Sequence, residues 1–181
     1  MRALQITTIG RPLEAADLPD PTPGPDEVVV AVAAAGICHS DVHYRAGHPA
    51  PRHLPMVPGH EVAGTIVAAG SDVDPGRVGS RVALHYVVSC GRCGNCLRGL
   101  EQFCEHYEML GQTRNGGYAE QIAVPARNAV TIPEAVTTAH AAVMMCSSST
   151  SLHALRKGRL QPGETVAIFG LGGLGASAVQ L

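Results

Sequence analysis

Four of the six cysteines stand in one short run, CGRCGNCLRGLEQFC, at Cys90, Cys93, Cys96 and Cys104. The spacing is C-x2-C-x2-C-x7-C. Four thiolates held this close can complete a tetrahedral shell around one Zn²⁺. Disulfides between such near neighbours are strained, so the run predicts a structural zinc lobe, with a reduced, metal-free cluster or a disulfide knot as the alternatives. This constrains the fold, because the chain must leave its main body, wrap an ion and return. It also sets apart Cys38 and Cys146, which lie far from the run and need another explanation.

The 181 residues, 45% hydrophobic and 15% charged, suffice for one sizeable core and part of another domain. A net charge of -2 and only 3% aromatics give no electrostatic or stacking case for nucleic acid. No stretch approaches the roughly 18 apolar residues of a membrane span, so no membrane partner is expected. MRALQITTIG lacks the apolar centre of a secretory signal, and metal-bound thiols suit a reducing compartment; the expected location is cytoplasmic.

Twenty-one glycines and thirteen prolines, spread along the chain, favour short strands and turns over long helices. Residues 1–20 read as strand, turn and extended segment. PDPTPGPDE is a proline-rich loop leading into the buried strand VVVAVAAAGIC, which ends at Gly36. Residues 39–56 read as loop and short helix, 57–70 and 78–88 as strands, and 116–133 as a pair of short strands. After Pro133, residues 137–158 have a helical composition. TVAIF (165–169) then reads as a buried strand entering Gly170-Leu171-Gly172-Gly173-Leu174-Gly175, followed by helix formers.

That glycine run matches G-x-G-x-x-G in a strand-turn-helix setting. The three motif glycines serve the tight turn, the backbone approach to a pyrophosphate and helix-strand packing. A strand-to-helix turn without a ligand is the plainer alternative. Only six residues follow Gly175, whereas a βαβ unit takes roughly 30 and the ribose-binding acid usually lies about 20 residues after the glycines. The dinucleotide unit is therefore expected to be incomplete within these residues.

Cys38, His60 and Cys146 supply two thiols and an imidazole, the donor set of a zinc that keeps its fourth position open. On the residues alone, Cys146 reads equally as a small buried hydrophobe and His60 as a turn histidine. Beside these stand GICHSDVH (36–43), PGHEVAG (58–64), the cysteine lobe, CSSSTSLHAL (146–155) and the glycine turn, in that order. Together they resemble the zinc-dependent medium-chain alcohol dehydrogenases along the whole chain, most specifically in the pairing of GHE with the lobe.

The resemblance implies a mainly β fold. A GroES-like, partly open β-barrel catalytic domain with its zinc lobe would occupy 1–136 (lobe about 88–110). A connecting helix and the first strand and helix start of an incomplete Rossmann α/β domain would occupy 137–181. It implies that Cys38, His60 and Cys146 bind a catalytic zinc and Cys90, Cys93, Cys96 and Cys104 a structural one. Glu61 would lie behind the catalytic ion and Asp41 would orient His60. Ser40 would contact the substrate oxygen and pass a proton toward His43. His39 would meet the pyrophosphate of NAD or NADP, with Gly170, Gly172, Gly173, Leu174 and Gly175 forming its turn. The implied reaction converts a small alcohol to an aldehyde or ketone with hydride transfer to NAD(P). The implied protein partner is a second copy or a complementing C-terminal half, and the 181 residues alone are expected to show little activity. Cys146-Ser147-Ser148 departs from the family's usual C-A-G, and either His85 or Tyr86 is expected at the substrate pocket. The contrasting reading is a non-enzymatic zinc-stabilised module, which would bind one zinc rather than two.

Overall fold

The computed structural model describes residues 1–181. Nine short strands carry the body: β1 Arg2–Gln5, β2 Glu14–Asp17, β3 Glu27–Gly36, β4 Glu61–Ala69, β5 Arg81–Leu84, β6 Val87–Val88, β7 Glu108–Met109, β8 Gln121–Pro125 and β9 Ala129–Thr131. The helices are α1 His39–Ala46, α2 Gly94–Leu97, α3 Thr138–Val143, α4 Ser149–Lys157 and α5 Gly173–Gln180. None is long and apolar enough to cross a membrane.

Five strands form one antiparallel sheet in the order β8-β3-β4-β5-β9, flanked by the two-stranded pairs β1-β2 and β6-β7. The period-2 pattern of the strands explains its two faces. Val28, Val30, Val62, Ile66, Val82 and Leu84 point into one core, closed by Leu110, Ile122 and Val124. The intervening Ala63 and Ala83 point the other way, onto Ile132 and onto Ala141 and Ala142 of α3. Alanine on both sides lets α3 lie close against the strands. Each buried Val or Leu of the first core contributes about 1.5–3 kcal/mol. The register shifts between Val29 and Val30 and between Val32 and Ala34 bend β3, whose end then delivers Cys38 to α1.

The helical stretch 137–158 forms, but not as one uniform helix. Thr137 caps α3 by accepting from the His140 amide, and Met144–Ser148 widens into a π-turn before α4 begins. Such bulges recur at functional sites because they re-aim a side chain. Here the turn carries Cys146.

One expectation is corrected. TVAIF (165–169) forms no strand. A buried strand needs ladder partners on both edges, and the five-stranded sheet offers it none. Phe169 is consequently 96% exposed and Val166 half-exposed. The glycine turn and α5 form nonetheless, tied back to α4 by Ser151 Oγ donating to the Leu174 carbonyl at 2.8 Å.

Candidate functional site

Two groups of thiol, imidazole and carboxylate donors gather in the molecule, each with its donor atoms within 4.8 Å of one another. The first is Cys90, Cys93, Cys96 and Cys104. Its Sγ–Sγ separations include 3.9 Å (Cys90–Cys96), 3.5 Å (Cys93–Cys96) and 4.0 Å (Cys93–Cys104). A tetrahedron with metal–sulfur bonds of about 2.3 Å has edges of about 3.8 Å, whereas a disulfide needs about 2.05 Å. The spacing fits four sulfurs around an ion. Backbone amides support the same reading: Cys90 N and His106 N donate to Cys104 Sγ, and Cys93 N donates to Cys90 Sγ. Amides from Cys96 and Glu105 lower the Cys93 thiol to about 6, while burial and neighbouring thiols push Cys96 up to about 11. Arg127 clasps the base of the lobe by donating to the carbonyl and hydroxyl of Ser89.

The second group is Cys38, His60, Glu61 and Cys146. Cys38 Sγ and Cys146 Sγ lie 3.9 Å apart, again the edge of a metal-sized tetrahedron and not a disulfide. His60 is 1% exposed. Its Nδ1 sits 3.4 Å from Asp41 Oδ1 without hydrogen-bond alignment, so this buried nitrogen has a carboxylate beside it and no formal partner. With Nδ1 turned to Asp41, Nε2 is the nitrogen left for a metal. Burial opposes a charge on His60, but Asp41 and Cys146 outweigh it and raise the ring to about 10. The donor chemistry of this cage fits zinc: two soft thiols, one imidazole and a buried carboxylate.

Local sequence explains how these groups meet. Cys38 is the N-cap of α1, and Asp41 at the third helical position accepts from the Cys38 amide at 2.9 Å. Asp41 also accepts from the Gly59 amide at 3.2 Å and from the Tyr118 hydroxyl at 2.9 Å. Burial alone would raise the Asp41 pKa, but His60, the Cys38 amide and Tyr118 hold it below the usual range. One carboxylate therefore ties together the segments bearing Cys38 and His60. Gly59 has φ +94°, and a Cβ there would lie 2.3 Å from the Tyr118 ring. A Cβ at Gly36 would meet Glu61 Oε2 at 2.1 Å, so the strand-ending glycine makes room for that carboxylate.

Ser40 is close to the cage, with Cys38 Sγ 3.6 Å from its Oγ. His43 and His39 stand one helical turn apart on α1 with ring centres at 4.7 Å. Tyr86 packs edge-on to His60 at 5.4 Å and lines the cleft, while His85 stacks behind it and turns its Nδ1 to the Val87 carbonyl. Of that pair, Tyr86 is the pocket residue.

The cage and the glycine turn line one cleft of about 1220 Å³, together with His39, Ser40 and His43. Gly170 has φ +88°, as a tight turn requires, and a Cβ at Gly175 would meet the Gly170 carbonyl at 1.9 Å. A Cβ at Gly172 would meet nothing within 4 Å, which leaves open space at the N-terminus of α5. These features fit a dinucleotide phosphate.

Sequence reasoning missed Tyr118 and the serine clasp. Ser147 and Ser148, which replace the usual small pair after Cys146, lie 3.2 and 3.5 Å from Ser177 Oγ of α5. The unusual C-S-S run was the available signal. Tyr118 carried none, because its partner Asp41 is 77 residues away.

Comparison with known proteins supplies the kinship. The family model for the alcohol dehydrogenase GroES-like domain matches residues 24–134. An alcohol dehydrogenase of Geobacillus stearothermophilus is 38% identical over 99% of this chain and 54% of its own length. The NADP-dependent alcohol dehydrogenase C of Mycobacterium bovis is 39% identical over 88% of this chain and 49% of its own. The chain thus spans about half the length of the curated relatives it matches. Among solved structures, a cobalt- and zinc-bound thermostable alcohol dehydrogenase of Pyrobaculum aerophilum superposes with TM-score 0.92 at 35% identity, covering 99% of this chain and 55% of that one. An NAD complex of acetophenone reductase from Geotrichum candidum gives TM-score 0.92 at 35% identity, with 99% and 53% covered. The mainly β, GroES-like architecture and the order of its motifs are those of these proteins, and the chain belongs to the GroES-like domain family of the zinc-type medium-chain alcohol dehydrogenases.

Proposed function

We propose that this chain provides the zinc-binding catalytic domain of an NAD(P)-dependent alcohol dehydrogenase that interconverts an alcohol with its aldehyde or ketone. The observation that carries the reading is the shared cleft: the Cys38–His60–Cys146 cage and the glycine turn 170–175 face the same cavity. A structural module has no need to place a three-ligand cage beside a dinucleotide turn.

Cys38, His60 and Cys146 would hold the catalytic zinc and the four lobe cysteines a structural one. Zinc supplies a Lewis acid that acidifies an alcohol hydroxyl, and the nicotinamide supplies the hydride acceptor. The remaining work belongs to side chains of this chain. Ser40, beside Cys38 Sγ, accepts the alcohol proton at Oγ and passes its own onward. His43, exposed at the cleft mouth, receives it and releases it to solvent. Asp41 keeps His60 turned so that one nitrogen faces the thiols. Glu61, buried behind the cage with its pKa raised by that burial, is a neighbouring carboxylate able to take a proton or approach the metal. His39 and the open N-terminus of α5 receive the pyrophosphate, and Tyr86 walls the substrate side.

The test is NAD(P)⁺ reduction with primary and secondary alcohols by the protein as expressed from its gene, beside a His60→Ala variant. Zinc-dependent turnover abolished by that variant is the expected result. Full turnover in His60→Ala would sink the assignment.

A further inference from the structure

His39 and His43 occupy positions i and i+4 of α1, both exposed, with ring centres 4.7 Å apart and planes inclined at 67°. Residues so spaced share one face of a helix, with Cβ atoms about 5–6 Å apart. The same spacing is the one by which two helical histidines grip a single metal ion. The geometry can be checked. With metal–nitrogen bonds of about 2.0–2.1 Å, and ring centres about 1.1 Å beyond the nitrogens, ligand angles of about 90–109° put the centres about 4.5–5.2 Å apart. The observed 4.7 Å lies inside that window.

Three of the other seven histidines are already engaged. His60 is enclosed by the cage, and His53 and His85 each turn Nδ1 to a carbonyl, those of Pro55 and Val87. His39 and His43 instead meet one another at the open mouth of the cleft, where an ion has access from solvent. Asp41, on the same helix, is buried and occupied by the Cys38 amide, Gly59 and Tyr118, so the pair must share its ion with water.

We infer that His39 and His43 form a third metal site, a surface bis-imidazole chelate for a borderline divalent transition ion. Two neutral imidazoles and several waters favour Ni²⁺, Cu²⁺ or Zn²⁺ over Mg²⁺ and Ca²⁺, which prefer oxygen. The ion binds reversibly, because two protein ligands and an open shell hold it less firmly than the four thiolates of the lobe. Binding stands on geometry alone. Its consequence, that an ion here removes the proton exit at His43 and so inhibits, rests on the function proposed above.

The two claims separate experimentally. The zinc-loaded chain is titrated with Ni²⁺, with zinc release monitored and histidine ring resonances followed by NMR. The expected result is one Ni²⁺ per chain in addition to the retained zinc, with His39 and His43 signals the first to broaden. His39→Ala and His43→Ala each weaken the binding at least tenfold, His48→Ala leaves it unchanged, and excess Mg²⁺ does not compete. Binding within twofold of native in both single variants, broadening centred on another histidine, or Ni²⁺ uptake only with zinc release would overturn the inference, whatever the dehydrogenase activity proves to be.

Discussion

Replacing Asp41 by Asn tests the organisation of the second cage. The carboxylate is 7% exposed and receives the Cys38 amide, the Gly59 amide and the Tyr118 hydroxyl, with His60 Nδ1 at 3.4 Å. Cys38 N and Tyr118 both address Oδ2, while Gly59 N and His60 address Oδ1. An amide offers one acceptor oxygen and turns two donors toward the other pair. In the Oδ2 place the NH₂ group would face two donors, the Cys38 amide and the Tyr118 hydroxyl; in the Oδ1 place it would face the Gly59 amide, with His60 Nδ1 alongside. Leaving buried donors unpaired costs about 1–3 kcal/mol each, partly relieved by rotation of the Tyr118 hydroxyl. Loss of the group that orients a metal-bound histidine typically weakens metal binding about 10–100-fold, or about 1.4–2.8 kcal/mol. The assay is competition between the zinc-loaded protein and a chromophoric chelator. Asp41→Asn should release one zinc at about 10–100-fold lower chelator concentration, while the lobe zinc keeps its native resistance. Equal retention of both ions would refute the role given to Asp41, and simultaneous loss of both would show a general folding defect instead.

Gly59→Ala places a side chain at φ +94° and drives it into Tyr118; the backbone term alone costs about 1–3 kcal/mol, so a fall in Tm of at least a few degrees and weaker retention of one zinc are expected by calorimetry and metal analysis. Tyr118→Phe removes the hydroxyl that bridges Asp41 and the Gly36 carbonyl, and should weaken the same zinc without touching the lobe, as read by chelator competition. The metal-free chain should show a definite pH response. Its His60 is raised from 6.5 to about 10, so the folded state binds that proton more tightly than the unfolded state. The stabilisation is complete below about pH 6.5 and fades as pH climbs through about 10. Zinc needs the neutral ring, so its affinity moves the other way and rises with pH. Urea midpoints of metal-free and zinc-loaded protein across that range should converge in acid and separate in alkali.

The strands and the lobe were legible because their signals are local. The apolar runs in 27–36 and 61–69, bounded by proline and glycine turns, mark buried strands, and the C-x2-C-x2-C run encodes its own closure. Cys38, His60 and Cys146 were not assembled by any local rule. Only a resemblance spanning the chain joined them, and the structure now brings their donor atoms together. Tyr118 stayed hidden because a long-range hydrogen bond leaves no mark in composition or spacing. TVAIF misled because strand propensity describes a side-chain pattern, whereas a strand also requires a neighbour. The π-turn at Cys146 was equally invisible, since a bulge adds a residue to a helix without altering its composition.

The claim that this is a catalytic rather than merely structural zinc domain is tested most directly by metal content. The purified, zinc-loaded chain should hold two zinc ions per molecule. Cys38→Ala and His60→Ala should each hold one, and so should a lobe variant such as Cys96→Ala, each losing a different ion. A single zinc in the native chain, unaffected by Cys38→Ala and His60→Ala, would contradict the account and leave a lobe-stabilised module in its place.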